Sequence, residues 1–211
     1  MQTFIIATNN PHKLIELQRI LAPLGISAFS AKERGVSLDE VEETGSTFEE
    51  NAYLKAHAAC KATGLPAIAD DSGLAVDALN GAPGIYSARY AGENATNEQR
   101  IAKLLSELDK TGSHDRGAKF VCAVCCVFPS GDRLAVRGEC RGKIGLKPTG
   151  GGGFGYDPVF FVRDENGGEI SFAQLSPEQK DAISHRGEAL RKMRAELERY
   201  FNMYGQTLCL L

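Results

Sequence analysis

Apolar residues along the chain alternate between short unbroken runs and residues recurring three or four apart. The first run, Thr3–Ala7, predicts a short buried strand. Thr8-Asn9-Asn10-Pro11 follows at once, and Pro11 suits the first position of a helix. Leu14, Leu17, Leu21 and Leu24 then recur at helical spacing until Gly25 stops the pattern. Thr47-Phe48-Glu49-Glu50 has the spacing of a capping box and opens a second helix, closed by Gly64 and Pro66. Ala67–Asp70 reads as a strand running into a turn-like Asp70-Asp71-Ser72-Gly73. Thr96–Gln99 caps a third helix carrying Ile101, Leu104, Leu105 and Leu108 on one face. Ala118–Phe128 and Arg133–Cys140 predict a hairpin turned at Pro129–Asp132. Gly150–Gly153 leads through Phe154-Gly155-Tyr156-Asp157 into a strand at Val159–Val162. Ser176-Pro177-Glu178-Gln179 opens a short helix, and Leu190, Met193, Leu197 and Phe201 mark the last one. Strands and helices are interspersed, and the central hairpin rules out a purely parallel sheet, so the prediction is an α/β fold with a mixed sheet.

Composition narrows the class. With 211 residues, 43% hydrophobic and 24% charged, the chain has the balance of a globular protein large enough to bury a core without metal or disulfide staples. Twenty-four basic residues face 27 acidic ones, and the basic residues are scattered. A duplex-binding surface needs clustered positive charge, so nucleic acid is not expected as a partner. The opening residues lack a charged leader, and their apolar run is too short for a membrane span, so a cytoplasmic location without membrane contact is expected. Cys122 and Cys125 match C-x-x-C, yet they sit in the apolar run Phe120–Phe128. Residues three apart on a strand point to opposite faces, which predicts buried thiols rather than a shared metal.

Four clusters carry chemistry, the acidic one drawn from two segments. The turn Thr8-Asn9-Asn10-Pro11-His12-Lys13 leads into a helix start, where open amides and the dipole favour an anion. Two readings stay open there: a phosphate site with Lys13 as the added charge, or a helix simply capped by Asn9 or Asn10. Lys13 is unfavourable beside a helix N-terminus and therefore needs a partner. Glu42-Glu43-Thr44-Gly45 and Asp70-Asp71-Ser72-Gly73 supply carboxylates of the kind that hold Mg²⁺ or deprotonate a water. Exposed turns are the alternative. In Gly150–Asp157, glycines beside aromatics and an acid suit a nucleobase pocket, with core packing as the other reading of Phe154 and Tyr156. Lys180 and Ser184 are four apart on a predicted helix, with His185 and Arg186 just beyond, and such donors converge on phosphate or a base carbonyl or else decorate a surface.

Taken in order, Ala7–Lys13, Glu42–Gly45, Ile68–Ala75, Gly81–Tyr90, Gly152–Pro158 and Ala182–Arg186 resemble the pyrophosphatases of non-canonical purine nucleoside triphosphates, the inosine triphosphatase family. The resemblance runs from Phe4 to about Phe201, implying one two-lobed domain over residues 1–201 and a tail over 202–211. It implies an elongated α/β fold with a mixed sheet and a cleft between lobes, homodimeric assembly, and Mg²⁺-dependent hydrolysis of ITP, dITP and XTP to monophosphate and pyrophosphate. Such an enzyme keeps deaminated purines out of DNA and RNA. By the same resemblance Thr8, Asn9, Asn10, Pro11, His12 and Lys13 would hold the triphosphate. Glu42 and Asp71 would hold the metal, with Asp71 also the general base, and Ser72 would touch substrate. Phe154, Gly155, Tyr156 and Asp157 would line the base pocket, and Lys180, His185 and Arg186 would contact base and phosphates. The family's frequent Thr-Gly-Asn is Thr8-Asn9-Asn10 here.

Two other readings stand beside this one. Maf-like pyrophosphatases act on other bases, and Ser184-His185-Arg186 argues against them. A non-enzymatic nucleotide sensor would have no need of Glu42 and Asp71 together.

Overall fold

The structure is a computed structural model that describes residues 2–37, 41, 43–164 and 167–203. Strand β1 (Gln2–Ile6) is followed by helix α1 (Pro11–Leu21), which starts where Pro11 has no N–H to satisfy and Asn10 caps the next amides. A single 3₁₀ turn ends at Gly25 in the left-handed region. Strand β2 (Ile26–Ser30) then pairs parallel with β1, from Gln2 opposite Ile26 to Ile6 opposite Ser30. The amphipathic pattern predicted the helix up to Gly25 and no element over these residues; this edge strand is too short and too weakly apolar to declare itself.

Helix α2 (Phe48–Thr63) opens on Thr47, whose hydroxyl accepts from Glu50 N at 3.1 Å. The reciprocal half of the predicted capping box does not form, because Glu50 instead accepts from the amide and hydroxyl of Ser46 at 2.7 and 2.8 Å. Strand β3 (Ala67–Val76) runs beside β1 in parallel, with Ile5 opposite Ala67. It continues through Asp70, Asp71, Ser72 and Gly73, where the composition predicted a turn. Asp70 and Asp71 are 1% and 6% exposed, which excludes the exposed-turn reading and places both acids inside a strand rather than at its end.

Helix α3 (Asn97–Lys110) forms the full capping box between Thr96 and Gln99. Strands β4 (Gly117–Val127) and β5 (Arg133–Ile144) flank the predicted turn, with β5 four residues longer than expected. Strands β6 (Phe160–Arg163) and β7 (Glu169–Ser171) add antiparallel pairs, and helices α4 (Pro177–Ile183) and α5 (His185–Met203) complete the described chain. The seven strands lie in the order β2-β1-β3-β4-β5-β6-β7, so the sheet is mixed as expected.

The chain divides into two compact units. The first comprises Met1–Asp71, Cys122–Gly138 and Gly187–Leu211, and the second Ser72–Val121 and Glu139–Arg186. Each has its own apolar core. In the first, Phe4 is fully buried and meets Phe128 and Phe201 edge-on at 6.2 and 6.4 Å, among Ile6, Leu17, Leu190 and Leu197. Truncating such a ring to alanine costs about 3–5 kcal/mol. In the second, Phe160 and Phe172 pack with Leu74, Leu104 and Val159. The five described cysteines are buried thiols, and burial pushes Cys125 up to about 11. They behave as small apolar groups.

Candidate active site

In the first unit, the turn after β1 resolves the choice between cap and open anion site. Asn10 Oδ1 accepts from His12 N at 2.9 Å and Lys13 N at 3.4 Å, and Leu14 N donates to Asn10 O at 3.0 Å. Thr8 Oγ1 accepts from Asn10 N at 3.2 Å. With Pro11 lacking an N–H, the first-turn amides are all committed to Asn10. An anion at Thr8–Lys13 would therefore meet side chains, not open helix amides. Asn9, Pro11 and His12 are exposed, whereas Thr8, Asn10 and Lys13 are half-buried.

Lys13 finds the partner its position demands. Its Nζ lies 2.9 Å from Asp70 Oδ2, and the Asp70 side chain is wholly buried. The Cys122 thiol approaches the same oxygen at 3.9 Å. Asp71, the next residue of β3, is held by α2. Asn51 Nδ2 donates to its Oδ2 at 3.2 Å, and Lys55 Nζ lies 3.4 Å from its Oδ1. The same ammonium is 2.6 Å from Glu43 Oε1. Burial raises the Asp71 pKa above the usual aspartate value, while Lys55, Lys13 and the Asn51 hydrogen bond pull against that rise. Burial works to lower the Lys55 pKa, but Asp71, Asp70 and Glu43 together hold it above the ordinary lysine value. A buried carboxylate with a raised pKa, kept charged by ammonium neighbours, is suited to accept a proton near neutral pH.

Glu42 lies outside the described residues. Its neighbour Glu43 and Asp71 turn hard oxygen donors toward one shared cation, the Lys55 ammonium, and this is the donor chemistry that Mg²⁺ takes.

In the second unit, the segment that the sequence offered as a base pocket is built around Asp157. Its Oδ2 accepts from Phe154 N at 2.8 Å and from Lys180 Nζ at 2.7 Å, in an ion pair whose side chains are 4% and 9% exposed. Gly153 is left-handed with φ +69°, and a Cβ there would collide with the Asp157 carboxylate. Phe154 is half-buried, with the Lys180 ammonium 4.5 Å and the Arg186 guanidinium 5.8 Å from its ring centre. Tyr156 instead belongs to the core, 4% exposed, and its hydroxyl donates to Ser87 O at 3.0 Å. Burial pushes that hydroxyl's pKa up, so it stays a donor.

His185 and Arg186 open α5 and are 5% and 2% exposed, which excludes the reading of surface decoration. His185 stacks on Phe120 with ring centres 4.7 Å apart, and Arg186 Nη2 donates to Ser72 Oγ at 3.3 Å. Ser184 does not share a helix face with Lys180; it is the extended residue between α4 and α5.

The structure thus gathers Lys13, Asp70 and Asp71 in the first unit. In the second it gathers Ser72, Phe154, Asp157, Lys180 and Arg186. Sequence reasoning missed Asn51, Lys55 and Phe120. Asn51 and Lys55 carried a signal, being polar residues four apart on a helix otherwise lined by Ala52, Ala56 and Ala59.

The Ham1 family model matches residues 4–196. A dITP/XTP pyrophosphatase of Photorhabdus laumondii is 49% identical over 195 residues, covering 92% of this chain and 96% of the relative. One of Escherichia coli O157:H7 is 50% identical over 193 residues, covering 90% and 95%. Among solved structures, a HAM1 protein from Coxiella burnetii superposes with a TM-score of 0.85 at 44% identity, covering 94% of this chain and all of the other.

Proposed function

The chain belongs to the Ham1 family, and from that premise we propose that it hydrolyses dITP, ITP and XTP to the nucleoside monophosphate and pyrophosphate. One observation carries the chemistry: two adjacent carboxylates inside β3, each held by its own lysine, Lys13 on Asp70 and Lys55 on Asp71. That arrangement joins a proton acceptor to two cations suited to a triphosphate.

In the reaction, water attacks the α-phosphorus, the bond from that phosphorus to the bridging oxygen breaks, and pyrophosphate leaves. Asp71 takes the proton of the attacking water. Its burial-raised pKa makes it a stronger base than a solvated aspartate, and Lys55 keeps it ionised. Lys13, Lys55 and the polar side chains of Thr8, Asn9 and Asn10 offset the charge of the phosphates. Glu42 and Asp71 are the residues we assign to Mg²⁺, which when bound supplies further neutralisation of the phosphates.

Base choice falls to the second unit. A purine stacked on Phe154 meets Lys180 and Arg186, both of which only donate hydrogen bonds. A 6-oxo group accepts from them, whereas the 6-amino group of adenine sets donor against donor. Sites built around such a bond reject the wrong partner by roughly 10⁴-fold. Asp157 serves this pocket by fixing Phe154 and Lys180.

The working form we propose is a cytoplasmic homodimer, which sedimentation of the purified protein tests. Among the described residues, no helix is long and apolar enough to cross a membrane.

Pyrophosphate release from dITP, XTP, ATP and GTP, each with Mg²⁺ and with EDTA, tests the reading. Mg²⁺-dependent release from dITP or XTP well above ATP and GTP supports it. Binding of dITP without release from any of the four leaves a nucleotide sensor instead.

A further inference from the structure

Asn51 is a fully buried carboxamide on α2, whose other buried residues are Phe48, Ala52, Ala56, Ala59 and Cys60, all apolar. A buried amide is costly unless both of its ends find partners, and an apolar residue would occupy the place more cheaply. Both ends are used here, on segments far apart in sequence. Its Oδ1 accepts from Gly45 N at 2.8 Å, and its Nδ2 donates to Asp71 Oδ2 at 3.2 Å. From Asp71 the contacts continue through Lys55 at 3.4 Å to Glu43 at 2.6 Å, two residues from Gly45 where the circuit began. The ring closes on itself: Gly45, Asn51, Asp71, Lys55, Glu43.

Gly45 fits this circuit closely. A Cβ at that position would lie 2.6 Å from Asn51 Oδ1 and 2.7 Å from Glu50 Cβ, so any side chain displaces the carboxamide. With Oδ2 of Asp71 taken by Asn51, rotation of the carboxylate is restricted and Oδ1 faces the Lys55 ammonium.

We propose that Asn51 is a positioning residue for the hydrolytic reaction, its carboxamide locking the Asp71 carboxylate and the Glu43–Gly45 strip into one frame. The inference rests on the pyrophosphatase reading above, and it assigns Asn51 no contact with substrate. Misplacing a reacting group by an ångström costs on the order of 10²-fold in rate, so loss of the frame lowers kcat. KM for dITP changes much less, because the residues assigned to the base lie elsewhere.

The test uses two variants of the full chain that disturb the frame from opposite sides. Asn51→Leu removes both hydrogen bonds while keeping the branched shape and the number of heavy atoms, and Gly45→Ala pushes on the carboxamide from a partly exposed segment. Both are expected to lower kcat for dITP by about tenfold or more with KM within about threefold and the native fold retained by circular dichroism. Amide exchange gives a readout independent of turnover. In Asn51→Leu the Gly45 N–H exchanges faster by about fivefold or more, the worth of one hydrogen bond, while β1 amides do not change. If Asn51→Leu does not fold, Gly45→Ala decides alone. A kcat within twofold of wild type in a folded variant overturns the proposal, as does a loss confined to KM or an unchanged Gly45 exchange rate. A wild-type protein that turns over no nucleotide sinks the pyrophosphatase reading instead, which keeps the two failures distinct.

Discussion

Replacing Lys13 by methionine keeps the length of the side chain and removes the ammonium from a carboxylate with no exposed surface. At 2.9 Å and an effective dielectric of about 20, the lost attraction is about 6 kcal/mol. The protein does not have to bear that full amount, because Asp70 takes up a proton instead. Neutralising an ordinary aspartate at pH 7 costs about 4 kcal/mol, which sets a ceiling. The expected loss is therefore about 3 kcal/mol at pH 7, in the range found when one partner of a buried pair is removed. The ceiling falls with pH, to about 1.5 kcal/mol at pH 5. In this variant the folded state binds a proton that the unfolded state does not, so its stability drops relative to wild type as pH rises from 5 to 7. Urea unfolding of wild type, Lys13→Met, Asp70→Asn and the double variant at both pH values measures this directly. The double variant, with a neutral amide in place of the buried carboxylate, should recover most of the loss. A loss under about 1 kcal/mol at pH 7, or equal losses at both pH values, refutes the reasoning.

Asp71→Asn retains the contact with Asn51 but not the base, so turnover of dITP should fall by about 10³-fold or more while the protein stays folded by circular dichroism. A variant keeping most of its activity removes Asp71 as the proton acceptor. Because burial raises the Asp71 pKa and a base must be ionised to act, log kcat/KM should climb with pH through an inflection above that of an ordinary aspartate. Lys55→Met removes the ammonium that lowers that pKa, so the inflection moves upward; a profile that stays in place contradicts the assignment. Lys180→Met should cut the preference for dITP over dATP by about tenfold or more, read as the ratio of kcat/KM values, whereas an unchanged ratio places base choice elsewhere.

The elements readable from sequence were those with strong local signals. The capping pair Thr96 and Gln99, Pro11 after Asn10 and the long apolar run of β4 with the turn residues that follow it all announced themselves. Strand β3 announced only its first residues, Ala67–Asp70, because Asp-Asp-Ser-Gly has turn chemistry, and its place between β1 and β4 carries the strand on to Val76. Strand β7 has three residues, too few for any period to show. The site was legible as motifs but not as pairings. Lys13 needed a partner, and nothing in the sequence said that the partner was 57 positions away at Asp70. Lys55 and Asn51 look like ordinary helix residues until β3 is laid beside them. Tyr156 looked like a stacking residue, and its hydroxyl is spent on Ser87 in the core.

The central claim is that Asp71 directs water to the α-phosphorus of a purine triphosphate. Turnover of dITP in ¹⁸O-labelled water, with mass analysis of both products, tests it most directly. The account predicts one ¹⁸O in the deoxyinosine monophosphate and none in the pyrophosphate. Label in pyrophosphate, or release of inorganic phosphate carrying it, would contradict the account by placing the attack at another phosphorus.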